Sequence, residues 1–161
     1  MNRKASKEDL PERRSVRLPD HNYRWTASYF VTIRAAHHQP VFEMSELHTI
    51  LQEVWTALPE RFPCVSLDEF IIMPDHFHGI LHFHVTDNKV PSLGQVIGAY
   101  KSITSVNWFN YVKTHNIAWS GLLWQGNYHE HVIRDVQDLK EKRRYTRENP
   151  QRWAKKPNRY T

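Results

Sequence analysis

Apolar and polar residues alternate most sharply between Ile71 and His84. In extended backbone, residues two apart share a face. His76, His78, His82 and His84 then fall on one face with Ile80, and Phe77, Leu81, Phe83 and Val85 fall on the other. The second face reads as core. The first carries more imidazole than packing requires. Pro74 removes a ladder hydrogen bond, so the stretches from Val65 to Met73 and from His76 to Val85 form one long strand or two strands broken at the proline.

The same reading applied to the rest of the chain predicts a first strand from Tyr29 to Arg34. Leu47, Ile50, Leu51, Val54, Trp55 and Leu58 recur at the helical period, with Ser45 as the cap and Pro59 and Pro63 as the stop. Asn88 to Pro91 reads as a turn. Leu93, Val96, Ile97, Tyr100 and Ile103 stripe a second helix running to about Tyr111. Tyr128 to Arg134 alternates as a strand. Asp138 and Glu141 have the spacing of a capping box, and the helix they open is expected to end near Pro150. The order strand, helix, strand, strand, helix, strand, helix predicts an α+β sandwich with helices packed on a mainly antiparallel sheet.

Composition narrows the partner. A chain of 161 residues with 40% hydrophobic content suits one domain. A net charge of +5 and a pI near 9.4 favour an anionic partner such as nucleic acid. Nine Lys or Arg between Lys140 and Thr161 face only Glu141 and Glu148. Residues 1–22 read as a basic arm, 23–153 as the single domain and 154–161 as a basic tail. Cys64 is the only cysteine, which excludes a disulfide framework and a cysteine-based zinc site. The chain has no apolar stretch suited to export or membrane spanning, so a cytoplasmic, nucleoid-associated protein without a membrane partner is expected.

Three constellations suggest chemistry. His76 and His78 form a His-x-His pair on one strand face, where two imidazoles can converge on one ion. His129 and His131 repeat the pattern around Glu130, either as further zinc ligands or as an ordinary polar strand face. Tyr145 and Asn149 lie four apart on the last helix and project from one side of it, among Arg143, Arg144 and Arg147. A phenol in such a setting can attack phosphorus when a metal polarises the phosphate. By itself it is an ordinary amphipathic tyrosine.

Met73-Pro74-Asp75-His76-Phe77-His78-Gly79 resembles the HUH motif (His, bulky hydrophobic, His) of single-tyrosine transposases. Further stretches are similar to the REP-associated tyrosine transposase branch. They are Tyr29-Phe30-Val31-Thr32, Ser92-Leu93-Gly94 with Gly98-Ala99-Tyr100-Lys101-Ser102, Trp124-Gln125 leading to Tyr128 through Asp135, and Tyr145 followed by Asn149-Pro150 and Trp153. The resemblance runs from about residue 23 to 153. It implies a ferredoxin-like core and a Mg²⁺ or Mn²⁺ ion held by His76 and His78, with Asn149 as third ligand. It also implies that Tyr145 cleaves single-stranded or hairpin DNA, forming a 5′-phosphotyrosine and freeing a 3′-OH. Two departures stand out. Thr146 replaces a β-branched apolar residue, and Asp75 replaces a common Asn.

Lys101, Arg134, Arg143, Arg144 and Arg147 are candidate DNA contacts, and His131 a candidate partner orienting a ligand. Two other functions fit the residues: a DNA-binding protein that keeps the fold without cleavage, and a zinc-dependent hydrolase using His76, His78, His129 and His131. Both a monomer and a homodimer are compatible with the sequence.

Overall fold

The structure, a computed structural model, describes residues 25–84 and 90–156. Four strands, β1 (Trp25–Ala35), β2 (Val65–Ile72), β3 (His76–His84) and β4 (Trp124–Val132), form one sheet in the order β2-β3-β1-β4. Every neighbouring pair is antiparallel. The described residues also form helices α1 (Ser45–Thr56), α2 (Leu58–Arg61), α3 (Leu93–Thr114) and α4 (Val136–Ala154), with two short 3-10 turns between β1 and α1. This is the α+β sandwich that the strand and helix order predicts, in the ferredoxin-like arrangement that the resemblance implies, with α4 added at its end.

The sheet has two unlike faces. Val31 and Ile33 of β1 and Phe77 and Leu81 of β3 point to α1 and α3, where they meet Leu47, Leu51 and Trp55, then Val96, Ile97 and Tyr100. All of these are fully buried. Each such side chain stabilises the fold by about 1.5–3 kcal/mol. The Tyr100 hydroxyl donates to the Leu51 carbonyl at 3.1 Å, whereas the buried Trp55 Nε1 has no hydrogen-bond partner. Gly79 makes this packing possible. A Cβ there would collide with the Trp55 ring lying across β3.

The opposite face takes its character from the strand register. Arg34, Thr32, Phe30 and Ser28 of β1 lie beside His76, His78, Ile80 and His82 of β3. Across β1, His129 and His131 of β4 pair with Thr32 and Phe30. Helix α4 covers this face. Its apolar seat is small: Phe30, Ile80, Ile133 and Leu139, with Val136 and Tyr145 against them.

Several element ends differ from expectation. Met44, not Ser45, occupies the N-cap of α1, and the Ser45 hydroxyl instead donates to Glu46 at 2.8 Å. Pro59 does not end a helix but sits in the first turn of α2, where a missing N–H costs nothing. Ser92 caps α3 through a reciprocal pair with Gln95. Helix α4 starts three residues before Asp138's expected cap, because extended Asp135 takes the Asp138 N–H at 2.7 Å. It also runs through Pro150 to Ala154. The proline gives up one hydrogen bond there, and beyond it Trp153 packs on His76 at 5.5 Å between ring centroids. Strand β4 begins earlier than Tyr128, at Trp124. The basic arm 1–22, the first half of the turn from Asn88 to Pro91, Val85 and the end of the basic tail lie outside the described residues.

Candidate active site

The first residues of β3 and the middle of α4 meet over the polar face. His76 and His78 are 6% and 4% exposed, and their rings lie 4.7 Å apart. Tyr145 approaches His78 at 5.4 Å with its ring nearly perpendicular. Phe30 stacks on the other side of His78 at 5.1 Å and meets the edge of Tyr145 at 5.9 Å, so one phenyl ring braces both. One helical turn after Tyr145, Asn149 is 5% exposed. His76, His78, Tyr145 and Asn149 line one cavity of about 290 Å³, closed by Arg34, Arg152, Trp153 and Lys156. A second recess of about 370 Å³ lies on the other side of Tyr145, lined by Phe30, Thr32, Arg34, His78, His129 and Lys142.

Both histidines are held by their Nδ1 atoms. Asp75, 2% exposed, accepts from His76 Nδ1 at 2.5 Å. Thr32 Oγ1 bonds His78 Nδ1 at 2.8 Å. An Nδ1–H on each ring leaves Nε2 with its lone pair, the tautomer a metal-ligating histidine needs. Asp75 thereby orients His76 rather than pointing to solvent. Burial, then the neighbouring His76 and Arg34, push the His78 pKa down to about 3, so the ring is neutral at physiological pH.

Two atoms at this site have no partner: His78 Nε2 and Asn149 Nδ2 are buried without a hydrogen bond. Unpaired buried polar atoms cost about 1–3 kcal/mol each and are uncommon. Amide oxygen and nitrogen exchange by a half-turn, so Asn149 can equally present Oδ1. Two imidazoles and an amide oxygen, with the remaining positions open to phosphate oxygens, suit a divalent cation. Thr146, the departure on α4, is 2% exposed and donates its hydroxyl to the Lys142 carbonyl at 2.8 Å. With that hydroxyl satisfied inside the helix, Thr146 packs as a β-branched apolar residue would.

The other sequence candidates disperse. Among the described residues no three His, Cys, Asp or Glu side chains gather as metal ligands, so the four-histidine zinc site does not form. His131 turns to Asp138, at 2.8 Å, and orients neither His76 nor His78. Asp138 also accepts from the Arg134 backbone N–H at 3.1 Å. Lys101 donates to the carbonyls of Gln125 (2.7 Å) and Gly126 (3.3 Å), and burial lowers its pKa. Arg143 and Arg147 form ion pairs with Asp68 and Glu69. Arg144 is exposed on the outer side of α4. The cations that do line the cavities are Arg34, Lys142, Arg152 and Lys156. Arg34 was within reach of sequence reasoning, since it shares a strand face with Phe30 and Thr32. Arg152 lies over the Tyr145 ring at 5.1 Å, a contact that follows only from the helix continuing past Pro150.

No protein-family profile matches the chain. A curated protein of Haemophilus influenzae (strain ATCC 51907 / DSM 11121 / KW20 / Rd), itself described as uncharacterized, is 29% identical over 166 residues, spanning 89% of this chain and 91% of that one. The solved structure of a REP-associated tyrosine transposase bound to a REP hairpin matches with a TM-score of 0.61 at 16% identity, over 83% of this chain and 72% of that chain. The chain has the REP-associated tyrosine transposase fold. The likeness read from the HUH motif thus extends to the course of the backbone. Among the described residues no helix is long and apolar enough to cross a membrane.

Proposed function

We propose that this chain is a metal-dependent endonuclease and strand-transferase that cuts single-stranded DNA beside a hairpin and holds the cut end as a 5′-phosphotyrosine. The observation that carries this reading is the meeting of Tyr145 with His78 in one cavity with His76 and Asn149. The transposase fold supports it, and the DNA hairpin in the related structure motivates the substrate class.

His76, His78 and Asn149 would hold Mg²⁺ or Mn²⁺, which when bound polarises the scissile phosphate. The phenol oxygen of Tyr145 attacks phosphorus. A Tyr Oη–P bond forms, the P–O3′ bond breaks, the phenol loses its proton and the 3′ oxygen gains one. Arg34, Arg152 and Lys156 surround the place where phosphate charge collects. Arg152 also lies above the ring of the attacking tyrosine. Resealing is the reverse attack by a 3′-OH, because the phosphodiester energy is kept in the tyrosine link. Both a monomer and a homodimer accommodate this scheme.

The test is incubation of labelled hairpin-bearing single strands with Mn²⁺ followed by denaturing electrophoresis. The wild-type chain is expected to yield a DNA–protein band that disappears with a chelator. A chain that binds the hairpin tightly without yielding this band is a DNA-binding protein and contradicts the proposal.

A further inference from the structure

The histidine row continues past the candidate metal ligands to His82, and His82 has a different environment. It is 2% exposed and lies between two partners. Ser28 Oγ bonds its Nδ1 at 2.7 Å, and Asp68 Oδ2 bonds its Nε2 at 2.8 Å. The same carboxylate receives Arg143 of α4 through two nitrogens, Nε at 3.0 Å and Nη2 at 2.6 Å. Ser, His and Asp in one chain of hydrogen bonds suggest a hydrolytic triad. Ser28, however, is only 4% exposed, and Asp68 is already engaged by a guanidinium, so the group is closed to substrate. It links β1, β3, β2 and α4 in one polar path.

Strand β2 carries an irregularity at this place. Leu67 pairs with Leu81 and Phe70 with Gly79, so β2 has one residue more than β3 between these pairs. In a regular strand Asp68 and Glu69 would point to opposite faces. The bulge turns both toward α4. Asp68 takes Arg143, and Glu69 takes Arg147 one turn later, at 2.5 Å from Nη2 and 2.9 Å from Nε. Tyr145 lies between these two arginines in sequence and projects from the other flank of the helix, toward His78.

We propose that the bulge acids Asp68 and Glu69, backed by His82 and Ser28, are positioning residues that fix the rotation of α4 and so hold Tyr145 over His78. The small apolar seat of α4 leaves this task to polar contacts. A phenol oxygen roughly 8 Å from a helix axis moves about 1.4 Å for each 10° of rotation. Misplacement by about 1 Å costs on the order of a hundredfold in rate. Arg143 and Arg147 are therefore anchors of α4 and not phosphate contacts.

The effect on rate rests on Tyr145 being the nucleophile, whereas the docking of α4 does not. Two readouts separate them in the full-length protein. Asp68→Asn is expected to speed amide exchange across α4 by about tenfold or more while β1 and β3 amides keep wild-type protection. Its adduct formation is expected to fall by roughly 10- to 100-fold, with hairpin affinity within about twofold of wild type. Arg143→Lys keeps the charge and loses the paired contact, so it should show a smaller loss in the same direction. It also serves where Asp68→Asn folds poorly. Unchanged α4 exchange, or a uniform loss of protection over the whole chain, overturns the proposal. A wild-type chain that forms no adduct contradicts the reaction reading alone, and the exchange result still decides the docking.

Discussion

Under α1 and α3 the sheet meets fully buried apolar side chains, from Val31 and Phe77 to Trp55 and Ile97, whereas under α4 it meets four apolar residues among histidines, acids and arginines. The first interface draws on area removed from water and has no titrating pair to lose with pH. The second relies on pairs such as Asp68 with Arg143, whose value depends on geometry and protonation. Each face leaves buried polar atoms without a partner, but those under α4, His78 Nε2 and Asn149 Nδ2, belong to side chains that line one cavity.

The sharpest way to break the comparison is to cut each face in turn. His78→Ala is expected to reduce adduct formation about a thousandfold or more, roughly 4 kcal/mol in barrier, while circular dichroism stays that of the wild type. Trp55→Ala is expected to do the reverse. Its ring lies 4.5 Å from Phe77 and 5.2 Å from Tyr100 and is fully buried, so urea unfolding should show a loss of about 3–5 kcal/mol. The folded fraction should keep its cleavage chemistry. An equal loss of both properties in both variants would mean that the two faces are not separable.

A gentler probe is pH. Burial pushes the Asp68 carboxyl up from its ordinary 3.8, but hydrogen bonds from His82 and Arg143 outweigh this and hold it well below that value. Its contribution is therefore complete above about pH 4 and is lost as pH falls further, toward the lower value of the folded state. The stability gap between wild type and Asp68→Asn should be constant from pH 7 to about 5 and should close as the solution is made more acidic. A gap that widens in acid would contradict the sign of this assignment.

Legibility in the sequence followed the same divide. The apolar face was readable because its signal is periodic: Leu47, Leu51, Val54 and Trp55 of α1 lie buried where the helical period puts them, and Phe77, Leu81 and Phe83 of β3 where alternation does. The pair His76 and His78 and the four-residue step from Tyr145 to Asn149 were readable for the same reason. What could not be read were interactions set by register. Pairing Asp68 with Arg143 spans 75 residues and needs a bulge that no local pattern announces. Arginines around a tyrosine look like a DNA surface until their partners on β2 are known. His131 was misjudged because its neighbour Asp138 belongs to the next helix, not to the metal cavity. Pro150 misled because the rule that a helix ends before proline is a tendency, and Trp153 gains a ring contact by continuing.

The most direct measurement is mass spectrometry of the DNA–protein product formed with Mn²⁺ and a hairpin-bearing single strand, after nuclease and protease digestion. A nucleotide joined through its 5′-phosphate to Tyr145, and absent from Tyr145→Phe, is the predicted result. A 5′-phosphate on any other residue, or cut DNA with no residue attached, would contradict the account.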